Sequence, residues 1–256
     1  MAARVRSPAG LGAAPLAARV RSPAGPREVS RLTVEGDVGA RLAELAARYG
    51  LPDGAADRFA ALLALVAAEP VSITTVRDPA AGVDAHVADS LVALDLPAVR
   101  AARRVADLGS GGGFPGLALA IARPAAHVAL VESAGRKCAF LVRAVGELGL
   151  RNVDVVHARA EGWAEGVGAH DLVVARALAP LTVLVEYAAP LLEVGGALVA
   201  WKGRPEPAEE ADGAAAAAAL GMTAPEAIPV QPFERARDRH LYLMSKVSPT
   251  PATFPR

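Results

Sequence analysis

The stretch VADLGSGGGFPGLALA, residues 105–120, sets five glycines between a short apolar run and a helix-like run. Glycines so spaced let the backbone turn sharply and bring its N–H groups against a ligand. Three ligands compete for such a loop: a phosphate, a dinucleotide, or a nucleoside without phosphates. No Gly-Lys-Ser/Thr follows, which excludes a phosphate-binding P-loop. Asp107, beside the turn, would repel a pyrophosphate but suits a ligand bearing an ammonium or a sulfonium. S-adenosylmethionine carries both and has no phosphate. Glu132, 25 residues beyond Asp107, ends the next apolar run, where an acid can accept hydrogen bonds from both ribose hydroxyls.

Further along, HARAEGW and VVARAL place Ala160, Glu161 and Arg176 after the next two apolar runs, on the same rim. Glu161 equally suits capping of a helix, and Arg176 an ordinary surface position. His86 and Asp89, three apart, form an i,i+3 pair, but no third or fourth ligand stands at metal-site spacing. They are read as helix-surface or subdomain-docking residues, and no metal is expected. Trp163 and Trp201 are read as packing residues near strand ends, and Cys138 as a core residue.

The elements that must carry these residues follow from periodicity. RVADL (104–108), HVALVE (127–132), VDVVHA (153–158), DLVVAR (171–176) and GALVAW (196–201) are short and apolar, as strands covered on both faces are. Helical runs lie between them near 115–123, 134–149 and 181–193, with another at 207–220. HLYLMSKV at 240–247 is expected to close the sheet as an antiparallel edge strand. The order is α/β, a doubly wound (Rossmann-like) sheet whose ligands sit at the carboxyl ends of the strands. Upstream, helices are expected from Val38 to Tyr49, over 56–68 and from Ala80 to Leu94, which gives an N-terminal helical subdomain. The expected division is a disordered basic extension over 1–34, the helical subdomain over 35–102, the ligand-binding domain over 103–248, and a flexible tail over 249–256.

Composition sets the outer bounds. The 256 residues are 53% hydrophobic and 21% charged, enough for one large core. Net charge is zero, yet residues 1–31 hold six arginines against Glu28 alone. An acidic partner must therefore be met by local patches. AARVRSPAG occurs twice in that arm, fifteen residues apart, too few copies for a stacked repeat. One cysteine rules out an internal disulfide and fits a reducing cytosol. No apolar run reaches the roughly 20 residues that cross a bilayer, and the N-terminus is not read as a secretion signal.

The sequence resembles the RsmG/GidB family of small-subunit ribosomal RNA guanine-N7 methyltransferases. The resemblance is carried by SITTVRDP with HVADS (72–90), VADLGSGGGFPGLALAIARP (105–124), LVESAGRKCAFL (130–141), HARAEGW (157–163), VVARALAPL (173–181), AWKG (200–203) and RHLYLMSK (239–246). It spans nearly everything from about residue 35 onward. SITT stands where the family usually has an asparagine-leucine-threonine run, and Gly112 where alanine or proline is common. The resemblance implies a class I S-adenosylmethionine-dependent methyltransferase fold with the cofactor held by Gly109, Gly111, Phe114, Glu132, Ala160, Glu161 and Arg176. It also implies 16S ribosomal RNA or the small ribosomal subunit as partner, with a cytoplasmic, monomeric enzyme. Basic residues expected on the RNA-facing rim are Arg77, Arg136, Lys137, Lys202, Arg204, Arg239 and His240.

Guanine N7 has a free lone pair and no proton to lose, so no catalytic base is expected. Rival readings are a methyltransferase of another RNA or a small molecule, a nicotinamide-dependent oxidoreductase on the same sheet, and a non-catalytic ribosome-binding module. Asp107 and the lack of a catalytic Lys, Tyr or His constellation after the fourth strand weigh against the oxidoreductase.

Overall fold

The structure, a computed structural model, describes residues 18–20 and 36–254. The expected basic extension lies outside the described residues except for Ala18–Val20, which form a short strand β1.

Helix α1 (Gly36–Tyr49) buries Val38, Leu42, Leu45 and Tyr49 at helical spacing. It ends at Gly50 in the left-handed region, where Leu51 N–H closes on the Ala46 carbonyl at 2.9 Å. Helix α2 (Ala55–Ala68) buries Phe59, Leu62, Leu63 and Val66 and stops before Pro70. The sequence predicts one long helix over 80–94; the structure breaks it into several pieces. Asp78 caps α3 (Pro79–Gly82) by accepting from Ala81 N–H at 2.8 Å. A π-helical turn, Val83–Ala88, follows, then α4 (Asp89–Leu91), a 3₁₀ turn Val92–Asp95 and α5 (Pro97–Ala101). The widened turn offsets the residues after it from ordinary helical register, a local change common at functional sites.

The sheet contains β2 (Arg104–Leu108), β3 (His127–Glu132), β4 (Val153–His157), β5 (His170–Arg176), β6 (Leu192–Lys202), β7 (Glu226–Pro229) and β8 (His240–Ser245). Their order with β1 is β1-β4-β3-β2-β5-β6-β8-β7. Strands β2 to β6 run parallel, while β8 lies antiparallel to β6 and β7 antiparallel to β8. The expected closing strand is therefore internal. The four-residue β7, which ends in proline and has little apolar signal, takes the edge and was not legible in the sequence.

Helices α6 (Gly116–Ala122), α7 (Gly135–Glu147), α8 (Leu181–Ala188) and α9 (Pro207–Ala219) cover the two faces. Strand alternation sorts the core: Val105, Val128 and Leu130 point to one face, Ala106, Leu108, Ala129 and Val131 to the other. The first face is continuous with α1, α2 and α4, so the N-terminal helices share one apolar core with the sheet. Every residue of α6 is buried, between the sheet and α2 and α4. Among the described residues no helix is long and apolar enough to cross a membrane. At the other end the chain is described to Phe254, which packs on the second core.

Strand β2 has β3 on one side and β5 on the other, which makes the gap above it the switch point of the sheet. Crevices that take ligands open at such points, beyond the carboxyl ends of the strands. The glycine loop follows β2 there, and Arg176 ends β5 beside it.

Candidate functional site

The glycine loop is tied down from below. Gly109 N–H and Ser110 N–H both donate to the Val131 carbonyl, at 2.9 and 3.2 Å, and Gly111 N–H donates to Glu132 Oε2 at 3.0 Å. Gly109 holds φ at +68°, and a Cβ there would come within 2.7 Å of Leu178 Cδ1. Any side chain at this position is both strained and crowded. Glu132 Oε1 accepts from Ala134 N–H at 2.8 Å, so backbone N–H groups orient the carboxylate on both sides. Each oxygen keeps lone-pair capacity for a further donor. Beside Glu132, β4 ends at His157 in register with it, and the 3₁₀ turn Ala160–Gly162 follows. Within that turn Glu161 pairs with Arg159 at 3.7 Å.

Asp107 requires a correction to the sequence reading. Its carboxyl is 1% exposed and lies beneath the loop, where Oδ2 accepts from Gly116 N–H at 3.1 Å. Burial pushes its pKa up to about 7. Glu132, not Asp107, meets Gly111 N–H in the turn, while the Asp107 carboxyl is buried against Gly116 and does not select a ligand by its charge. Pro115 immediately precedes α6, which begins at Gly116.

On the far side of the loop, Phe114 stacks on the His86 imidazole, with ring centres 4.6 Å apart and planes 13° from parallel. The Arg176 guanidinium lies over the same ring at 5.7 Å. Arg176 donates to the Ala85 carbonyl at 3.1 Å and to Asp89 Oδ2 at 2.9 Å. His86 Nε2 lies 2.9 Å from the Val76 carbonyl, which can only accept, so Nε2 carries the proton. Nδ1 is then an acceptor that faces Arg176 at 3.5 Å. Burial lowers the His86 pKa and keeps the ring neutral. Both nitrogens are engaged, which leaves the ring a positioning task rather than that of a base.

His86, Asp89 and Arg176 line a cavity of about 490 Å³, in the range of small-molecule sites, with Phe114 behind His86. Thr74 to Val76 and the π turn form one side; Trp201, Lys202, Arg239 and His240 from the ends of β6 and β8 form the other. The π turn is anchored beneath by Val87 and Leu91, both fully buried. Each such side chain contributes about 2 kcal/mol on burial. Trp201 Nε1 donates to the Asp89 carbonyl at 2.7 Å and locks the turn against the sheet.

The residues predicted from the sequence separate into groups here. Arg176, Lys202, Arg239 and His240 line the cavity. Lys202 is already paired with Glu209 at 2.5 Å, and Arg204 with Asp238 at 3.1 Å on the surface. The Arg77 side chain turns away and donates to the carbonyls of Ala67 and Glu69 at the end of α2, a capping role. Arg136 and Lys137 open α7, near Glu132 on the carboxyl edge but outside the cavity lining. Trp163 is buried against His170, and Cys138 is buried with its thiol on the Glu132 carbonyl. Of the two roles expected for His86 and Asp89, helix surface or subdomain docking, the structure has the second: they are 5% and 7% exposed, meet Arg176 of β5 and line the cavity. Their signal was the i,i+3 spacing, which carries no information about a partner in β5.

Comparison with known proteins agrees with this architecture. The family model described as GidB, rRNA small subunit methyltransferase G, matches residues 54–242. A ribosomal RNA small subunit methyltransferase G of Rubrobacter xylanophilus is 43% identical over 70% of this chain and 71% of that protein. The protein of the same name from Deinococcus radiodurans is 41% identical over 78% of this chain and 81% of its own length. Among solved structures, the S-adenosylmethionine-dependent methyltransferase SibL superposes with a TM-score of 0.54 at 17% identity, covering 84% of this chain and 71% of its own. Mitomycin 7-O-methyltransferase MmcR gives 0.53 at 14% identity, over 66% and 56%. These two share the fold, the doubly wound sheet of the class I methyltransferases. With the family model matching most of this chain and relatives above 40% identity, the chain belongs to the GidB family, the rRNA small subunit methyltransferase G family.

Proposed function

We propose that this protein transfers a methyl group from S-adenosylmethionine to N7 of a guanine in 16S ribosomal RNA. The observation that carries the reading is that the glycine loop with Glu132 adjoins a cavity, two compartments in this reading: Phe114, next to the loop, stacks on His86 of the cavity wall.

The first compartment fits the cofactor. The left-handed turn at Gly109 presents backbone without a side chain, as close approach of a nucleoside requires, and Glu132 offers acceptors to two ribose hydroxyls. Ala160 and Glu161 lie beside Glu132 to border the adenine, while Phe114 closes the opposite side and Arg176 stands behind it. When bound, the cofactor supplies an activated methyl on a sulfonium.

The second compartment receives the base. The N7 lone pair forms the new bond while the sulfur–carbon bond breaks and its electron pair returns to sulfur, so no proton leaves. The task of the protein is to align the reacting atoms and exclude water. His86, neutral and held at both nitrogens, fits that demand. A base reached this way must leave its stack, as loop nucleotides do. Exposed Arg136 and Arg204, with Lys137 beside the first, contact phosphates along the rim. A monomer in the cytosol, acting on RNA or the small subunit, completes the reading.

The test is incubation with labelled S-adenosylmethionine and unmodified small subunits, followed by strand scission specific to 7-methylguanine. One guanine should be modified, and Glu132→Gln should weaken cofactor affinity by about 10- to 100-fold. Label incorporated elsewhere in the RNA, or none, would overturn the assignment.

A further inference from the structure

We propose that Asp89 determines specificity for the acceptor base, by accepting the N1–H and N2–H donors of a guanine seated in the cavity. This rests on the methyl-transfer reading given above.

The position of the carboxylate is the first support. Asp89 is fixed by three elements: its own helix, Trp201 of β6 through the main-chain carbonyl, and Arg176 of β5 through Oδ2. Its other oxygen, Oδ1, faces Arg239 Nε at 3.7 Å, beyond hydrogen-bond length. Asp89 lines the cavity, so that oxygen keeps acceptor capacity toward it.

Chemistry supplies the second. Arg176, Lys202 and Arg239 are donors only, and a cavity built for phosphate would gain nothing from an acid among them. A carboxylate in that place calls for a ligand that donates. Guanine alone among the RNA bases presents two adjacent donors on its Watson–Crick edge. Adenine has an acceptor at N1, cytosine one amine beside an acceptor, and uracil one N–H between two carbonyls. When N1–H and N2–H are held at Asp89, N7 lies on the adjacent edge, turned roughly at a right angle to those donors, and is left free for the methyl group.

Energetics supply the third. Methylation leaves the purine cationic, which makes N1–H a stronger donor. Its bond to the carboxylate therefore tightens as the reaction proceeds, the kind of interaction that accelerates a chemical step.

The experiment locates the modified guanine with the wild-type protein, then compares reconstituted small subunits that carry guanosine or inosine at that position. Inosine lacks the 2-amino group and keeps N7. The wild type should favour guanosine in kcat/KM by about 10- to 100-fold, and Asp89→Asn should lose most of that preference. S-adenosylmethionine affinity by calorimetry reports any displacement of Arg176 in the variant, and the guanosine-to-inosine ratio, taken at saturating cofactor, is read independently of it. A purely structural Asp89, needed only to hold Arg176, would slow both substrates alike and leave the ratio unchanged; that result overturns the proposal. Equal use of both substrates by the wild type also overturns it, whether or not the variant folds. A wild type that forms no 7-methylguanine would instead overturn the methyl-transfer reading, and this proposal with it.

Discussion

The Asp89 carboxylate and the Arg176 guanidinium, 87 residues apart in the chain, meet at 2.9 Å and join the helical region to the end of β5. Both side chains are mostly buried, so neither charge is easily rehydrated if its partner is lost. Arg176→Met should cost about 3 kcal/mol of stability, the low end for a broken buried pair. Urea denaturation would measure it. Arg176→Lys keeps the charge but not the forked contact with Asp89 and Ala85, and should recover only part of the loss.

Gly109 is constrained by conformation and by Leu178 together. Gly109→Ala should lower stability by about 1–2 kcal/mol through the left-handed backbone alone. It should also weaken S-adenosylmethionine binding in calorimetry. Trimming the neighbour in Gly109→Ala/Leu178→Ala should return some stability but leave the backbone strain, so the double variant stays below wild type.

Asp107 makes stability depend on pH in a defined direction. The unfolded chain loses this proton near 3.8, whereas the native protein holds it to about 7. Between those values the native state binds more protons, so stability falls as pH rises from about 4 to about 7. The span corresponds to a loss on the order of 4 kcal/mol. Subtracting the profile of Asp107→Asn from that of the wild type should isolate this slope. A flat difference would mean the carboxyl is hydrated.

Lys246 gives the opposite slope in another window. Its ammonium is buried and donates to the carbonyls of Ala189 and Leu220 at 2.9 and 3.0 Å, and to Thr250 Oγ1. Burial lowers its pKa from 10.5 to about 8. Above pH 8 the unfolded chain binds the extra proton, so stability should rise toward pH 10.5; below 8 the cost of the buried charge is present in full. Lys246→Met should lack that rise in denaturation curves collected from pH 7.5 to 10.

Much of the sheet was legible because its strands are covered on both faces and read as short apolar runs. RVADL and HVALVE coincide with β2 and β3 to the residue. The β6 start was missed because Glu193 and Gly195 interrupt the apolar run, while parallel pairing with β5 extends the strand back to Leu192. Helix 181–193 stops at Ala188 for a related reason: Pro190 sits in the next turn and the chain must enter β6.

By itself the sequence determined the strand and helix order, the glycine turn at the switch point, and membership of a methyltransferase family. These depend on local periodicity, turn chemistry and motif spacing, which neighbouring residues encode. Tertiary structure decided which acid meets Gly111 in the turn and which is buried against Gly116, and brought His86 and Asp89 to Phe114, Arg176, Trp201 and Arg239. Those contacts join residues far apart in the chain, through a π turn that shifts helical register and a sheet that reorders its strands. No local pattern specifies such a meeting; packing of the shared core does.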